Sequence, residues 1–155
     1  MKHYIRTKLY FYAEEDYLNK IIESLKDNDD PISFNKIIPL NNNSMMDTWG
    51  IEEDALEKDF TFTYKKEGLL YQFDTLDNVP IKIYNQLAQM FKEAKIEIEY
   101  ASDNYGVVCG KLVSEAGLNL LEGIEIDNPL EFACEIWNVD YEEELNEEAI
   151  NFYEE

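Results

Sequence analysis

Histidine and cysteine are scarce in this chain of 155 residues, which holds one His and two Cys. His3 would have to serve every nucleophile, which removes a histidine-based triad, and two thiols with one distant imidazole do not make a zinc site. His3 is expected as a partly exposed strand residue. Cys109 and Cys134 are flanked by core-type residues and are expected as buried, reduced thiols. No apolar run approaches the roughly 18 residues that cross a bilayer, and Met1-Lys2-His3-Tyr4-Ile5-Arg6 lacks the continuous apolar stretch of a secretory signal, so the expected location is the cytoplasm. Glycine and proline, six and four in number, are scattered without a repeat or linker-like run. One domain over 1–155 is therefore expected, with a core of about 1–125 and an acidic helical extension over about 126–155. Gly106-Val107-Val108-Cys109-Gly110 lacks the Lys-Ser or Lys-Thr pair of a phosphate loop, and its glycines mark a bulge or a close backbone approach. Asp27, Asp29 and Asp30 cluster as a cation loop would. However, a loop begun at Asp27 meets Pro31, Ile32 and Ile38 where an oxygen ligand, Gly and Glu are needed, so a helix-ending turn is expected and no metal or other cofactor.

Base is missing from one end of the chain. The net charge is −21, from 34 acids and 13 bases, and no Lys or Arg follows Lys111 although 14 acids do. The first 111 residues, with 20 acids and 13 bases, carry only −7, so two-thirds of the charge lies in the last 44. A field of that sign repels nucleic acid and anionic membrane and attracts basic partners. With 34 acids, close carboxylate pairs arise by chance and carry no glycosidase meaning. No catalytic residue is assigned and the chain is not expected to be an enzyme. Apolar residues at 45% and aromatics at 14% exceed what a disordered acidic tail contains, so the chain should fold.

Along the chain, alternation over His3–Phe11 predicts a strand, and Glu14 to about Lys26 a helix ended by Asp27–Pro31. Ile32–Pro39 is expected to be a short extended segment and Asn41–Ser44 a loop. Phe60–Tyr64 and Leu69–Phe73 flank Lys65-Lys66-Glu67-Gly68 as a hairpin with Gly at a positive φ. Pro80 opens a helix of about a dozen residues bearing Tyr84, Leu87, Ala88 and Phe91 on one face. Ile96–Tyr100 and Tyr105–Val113 form a second hairpin. Asn128-Pro129-Leu130-Glu131 starts a short helix, and Asp140 caps a last one with Tyr141, Leu145, Ala149 and Phe152 as its apolar stripe.

The sum is an α+β fold, an antiparallel sheet with helices on one face: a ferredoxin-like core plus acidic C-terminal helices. Several landmarks fall in order: Asn35 to Pro39; Trp49, Gly50, Asp54 and Ala55; Phe73 and Thr75 with Pro80 behind them; and Tyr100, Gly106 and Gly110. With these the chain resembles the YubB-type ferredoxin-like family of phage and plasmid proteins over roughly 1–120. It departs from that pattern at Glu52-Glu53, where Lys-Trp is usual, and at Leu76-Asp77, where a second Trp often follows. The resemblance implies a mobile-element origin and a fold; it implies no activity.

Two places could meet a partner. Trp49, with Glu52, Glu53 and Asp54 behind it, forms either an aromatic anchor with an acidic rim or a residue that caps the core. Asp140, Glu142, Glu143, Glu144, Glu147 and Glu148 form either a docking surface or a solvated helix face, and the balancing opposite charge is absent. The functional expectation is an acidic protein that binds a basic host protein, such as a nucleic-acid-handling or defence enzyme, where phosphates otherwise bind. Direct binding of nucleic acid or membrane is not expected. The alternative is a self-associating accessory domain, a homodimer joined through the Trp137, Leu145 and Phe152 region.

Overall fold

Alternation along Tyr4–Tyr12 sends Ile5, Leu9 and Phe11 to one side and Arg6, Lys8, Tyr10 and Tyr12 to the other, and this stretch is strand β1 of the computed structural model. The structure describes residues 3–63, 68–118 and 120–154, with the backbone alone described at 57–63 and 148–154. Helix α1 (Glu15–Leu25) follows, with Glu15 and Asp16 in its first turn and Leu18, Ile21 and Leu25 buried. Asp27 and Asp30 then exchange backbone hydrogen bonds around Asn28, whose φ of 54° is left-handed. This is the turn expected of the aspartate cluster.

Ile32–Pro39 is not extended as expected, because it holds a single helical turn, α2 (Phe34–Ile37). A spacing of three brings Phe34 and Ile37 to one side, and both are buried. Asp54 Oδ1 also accepts the Phe34 N–H at 3.1 Å, which supplies the cap from a distant segment. Another short helix, α3 (Met45–Trp49), has no counterpart in the sequence reading. Its start and stop signals are nevertheless present there: Ser44 Oγ accepts the Asp47 N–H at 3.1 Å, and Gly50 ends the helix at φ 77°.

Strands β2 (Leu56–Thr63) and β3 (Gly68–Leu76) pair antiparallel; the turn expected at Lys65, Lys66 and Glu67 lies outside the described residues. Helix α4 (Ile81–Met90) begins behind Pro80 and buries Ile83, Tyr84, Leu87 and Ala88. Strands β4 (Lys95–Ser102) and β5 (Cys109–Ser114) make the second expected hairpin, and β6 (Glu122–Ile124) adds a short strand that was not anticipated. Helix α5 (Pro129–Trp137) has Asn128 as its cap, and α6 (Tyr141–Glu154) begins at Asp140, whose Oδ1 accepts the Glu143 N–H at 3.2 Å.

The sheet order is β2-β3-β1-β4-β5-β6, antiparallel throughout. Up to β4 the chain runs strand, helix, strand, strand, helix, strand, with β1 between β3 and β4. That is ferredoxin-like topology, and β5 and β6 widen the sheet beyond β4. The inner face carries α1 and α4 over one core containing Leu9, Phe11, Leu18, Phe34, Phe73 and Leu87. The outer face is left to α5.

Candidate functional site

The outer face belongs to residues of the opposite parity in each strand: Lys8, Tyr10 and Tyr12 of β1, Leu70 and Gln72 of β3, Glu97 and Glu99 of β4, and Lys111 and Val113 of β5. At one end of this face α5 is clasped down. Its Trp137 donates Nε1–H to the Ala101 carbonyl at 2.9 Å and lies 4.2 Å beneath the Arg6 guanidinium. Arg6 in turn grips Asp74 with Nε at 2.9 Å and Nη2 at 3.2 Å, a two-pronged pair that satisfies a buried carboxylate. Ala101, Ala133 and Ile136 make a small second core there. Gly106, at φ 83°, lets the β4–β5 turn approach α5 so closely that a Cβ would stand 3.3 Å from the Leu130 backbone.

Where α5 departs from the sheet, it leaves an open groove of about 430 Å³ over β4, β5 and β6. Its walls carry Glu99, Glu125, Asp127, Glu131 and Glu135 against a single cation, Lys111, and Ile124, Ile126 and Phe132 supply its apolar surface. Glu131 and Glu135 are four apart on α5 and so face the same way. Among the described residues, Glu125, Asp127, Glu131 and Glu135 have no Lys, Arg or His within salt-bridge distance. The other end of the outer face carries two partly exposed tyrosines. There Tyr10 and Tyr12 stand parallel, ring centroids 6.3 Å apart. Burial, then the Glu99 carboxylate, pushes the Tyr10 hydroxyl up to about 12, and burial followed by Glu97 raises that of Tyr12.

The residues expected to meet a partner fall in two places on opposite sides of the sheet. Trp49 is not an anchor. It is 1% exposed, donates its indole N–H to the Ile38 carbonyl at 2.9 Å, and packs edge-on against Phe34. Its indole is too large and apolar to remain outside when α2 offers it a pocket and an acceptor. Asp54 is committed as well, accepting the N–H groups of Phe34 and Ala55. Glu52 and Glu53 are exposed, without the aromatic centre that was to accompany them. On α6, Asp140 is the cap, Glu142, Glu143 and Glu147 are exposed, and the Glu148 side chain lies outside the described residues. Glu144 is partly buried, and its charge, after burial itself, raises the Tyr105 hydroxyl and the Cys134 thiol. Trp137, expected on a self-association surface, is consumed by the Arg6 clasp. Cys109 and Cys134 are free thiols, both held above the usual range by burial.

Sequence reasoning missed the groove acids. The alternation Ile96-Glu97-Ile98-Glu99 and the i,i+4 pair Glu131 and Glu135 were visible, but nothing in the sequence said that α5 would lie over β4. Among the described residues, no group of three or more His, Cys, Asp or Glu is placed to hold a metal ion, and no helix is long and apolar enough to cross a membrane.

These features define a ferredoxin-like α+β domain whose outer sheet face carries an acidic groove under an added helix. The family model described as the ferredoxin-like domain in Api92-like protein matches residues 57–153, and the chain belongs to that family. No curated protein and no solved structure matches the chain.

Proposed function

We propose that this chain is an acidic binding protein that takes a basic surface of another protein into its outer-face groove, where that partner otherwise meets phosphate. The observation that carries this reading is the groove itself, with five carboxylates against Lys111. A partner's Lys and Arg side chains would relieve that imbalance, and long-range attraction would speed encounter, most strongly at low salt. The chain after Lys111, with acids and no base, extends the same field. The YubB-type landmarks favour a phage or plasmid origin, in which case the partner is a host enzyme that handles nucleic acid, or a defence enzyme, and the role is inhibition without catalysis in the host cytoplasm.

The test is affinity capture from host lysate, followed by a salt titration of the captured partner against the native chain and a variant carrying Glu125→Gln, Asp127→Asn, Glu131→Gln and Glu135→Gln. A basic partner whose binding weakens steeply with salt and is lost in the variant is the expected result. No basic partner at low salt, or equal binding to the variant, overturns the proposal. Among the described side chains, self-association keeps one supporting feature, the exposed Leu145 of α6 (40%), and the Phe152 side chain lies outside them. A dimer that persists unchanged at high salt in light scattering would favour it.

A further inference from the structure

The outer face already shows how this protein holds an arginine. Arg6 lies with its guanidinium carbon 4.2 Å from the centre of the Trp137 ring while a carboxylate, Asp74, receives its two prongs. The same pair of elements recurs beside it without an arginine of the chain's own. Tyr10 and Tyr12 present parallel, partly exposed rings at the far end of the face. Glu97 is registered directly across from Tyr10, and the Glu99 carboxylate lies near enough to the Tyr10 hydroxyl to raise it. Glu99 is also a wall of the groove, so the tyrosines, Glu99 and the carboxylates of α5 form one continuous surface.

Among the described residues, the neighbouring cations in the sheet ladder are Lys8, Lys95 and Lys111. Lys95, across from Tyr12, is engaged by Glu97 at 3.5 Å and Glu115 at 3.9 Å, and Lys8 and Lys111 flank Glu99 on either side in the ladder. These cations stand among the sheet's own acids, whereas among the described residues the acids of α5 and the preceding loop have no cation within salt-bridge distance. From β1 across to β6 is three strand spacings, roughly 14 Å, which about four residues of extended chain would span.

We propose that this surface is a recognition track for an extended arginine-bearing segment of a basic partner, with Tyr10 and Tyr12 as stacking planes and Glu131 and Glu135 as the receiving carboxylates. The assignment rests on the groove being a basic-partner site, and it adds that the site distinguishes arginine from lysine. A guanidinium is planar, weakly hydrated and forked, so it can stack on a tyrosine and take a carboxylate in two-pronged fashion, whereas an ammonium is a compact, strongly hydrated charge. Single-stranded nucleic acid would also find the tyrosines attractive, but its phosphates would have to run along the groove acids.

Calorimetry on the full chain at low salt tests this with three probes: a short peptide alternating arginine and alanine, the same peptide with lysine, and a thymidine oligonucleotide. The arginine peptide should bind about five- to tenfold tighter than the lysine peptide. Tyr10→Ser with Tyr12→Ser should bring the two peptides to equal affinity, and Glu131→Gln with Glu135→Gln, both exposed, should weaken both at an unchanged melting temperature. Equal affinity of the two peptides for the native chain overturns the arginine track while leaving the basic-partner reading intact. Failure of both peptides to bind overturns both, and tighter binding of the oligonucleotide overturns the choice of ligand. If the tyrosine variant melts early, Tyr10→Leu with Tyr12→Leu, which keeps apolar bulk but no ring, takes its place with the same expected result.

Discussion

Replacing Trp137 by alanine should loosen the outer layer in a way whose size can be worked from the clasp. An aromatic side chain fully enclosed removes 150–250 Å² from water. Trp137 is half-buried, so about 100 Å² is at stake, worth about 2.5 kcal/mol at roughly 25 cal/mol per Å². Loss of the indole bond to the Ala101 carbonyl adds about 1 kcal/mol. The guanidinium contact adds about 0.5–1 kcal/mol, kept modest because the Arg6 side chain remains 21% exposed. The expected loss of about 4 kcal/mol is a large share of the 5–15 kcal/mol a domain possesses, and lowers Tm by about 8–16 °C. Trp137→Phe keeps the ring and should lose chiefly the hydrogen bond, about 1 kcal/mol. A double-mutant cycle of Trp137→Ala with Arg6→Met, run in an Asp74→Asn background so that no bare carboxylate is left behind, should return a coupling of about 0.5–1 kcal/mol. Urea and thermal denaturation followed by circular dichroism measure all of these. A loss below about 1 kcal/mol for Trp137→Ala, or zero coupling to Arg6, would refute the view that this contact fastens α5 to the sheet.

Three further outcomes are expected. Trp49→Ala should cost about 3–5 kcal/mol, since it opens a cavity in the inner core and orphans the Ile38 carbonyl; a variant of native stability that loses only partner binding would restore Trp49 as an anchor. Gly110→Ala should cost about 1–3 kcal/mol because a Cβ there would overlap the Tyr100 ring, with Cε1 at 2.7 Å, and that ring is held against Tyr84; chemical denaturation reads the change, and a native midpoint would mean that the ring moves freely. Stability should begin to fall near pH 9, where exposed thiols ionise while Cys109 and Cys134 stay protonated in the fold, and fall faster above pH 10. Tyr10 titrates near 12 when folded and 10.0 when exposed, and burial raises Tyr71 and Tyr84 further, so their contribution is complete below the unfolded value and disappears as pH climbs through the folded ones. Urea midpoints against pH, with tyrosinate absorbance recorded alongside, test this; a folded protein whose tyrosines all titrate near 10 would contradict it.

The elements that carry the fold were legible because each has a local cause. Parity in Tyr4–Tyr12, the 3.6 period of Glu15–Leu25, and the Asn128-Pro129 start of α5 need no knowledge of the rest of the chain. What stayed hidden depends on contacts between distant segments. Residues 34–37 are helical because Asp54, twenty positions away, caps them, and no local pattern reports that. Trp49 remained open between anchor and core until its acceptor at Ile38 was known. The landmarks behind the family resemblance proved to be structural in this same sense: Asn35 Oδ1 accepts the Leu40 N–H, Trp49 closes on Ile38, and Gly50 ends α3. The groove was hidden for a simpler reason. Its acids come from β4, the loop after β6, and α5, and only the placement of α5 on the outer face brings them together.

That placement gives β1 a double duty. The family match begins at residue 57, yet β1 lies between β3 and β4 and pairs with both, so the matched span has no continuous sheet without it. Its odd positions, Ile5, Leu9 and Phe11, are buried in the fold, while its even positions supply Arg6 to the clasp and Tyr10 and Tyr12 to the open face. Period two therefore separates the positions that fill the core from those that face outward within a single strand. Leu9→Ala should cost about 2–5 kcal/mol and change peptide affinity only through the unfolded fraction. One residue along, on the opposite parity, Tyr10→Ser should cost far less stability, because the ring is only half-buried, and should reduce affinity for the arginine peptide among molecules that remain folded. Measured as melting temperature against affinity, substitutions at Ile5, Leu9 and Phe11 and those at Tyr10 and Tyr12 should fall on two separate lines. If they fall on one, with affinity tracking stability at every position, the outer face is a packing surface that happens to be exposed and the recognition role assigned to the tyrosines fails.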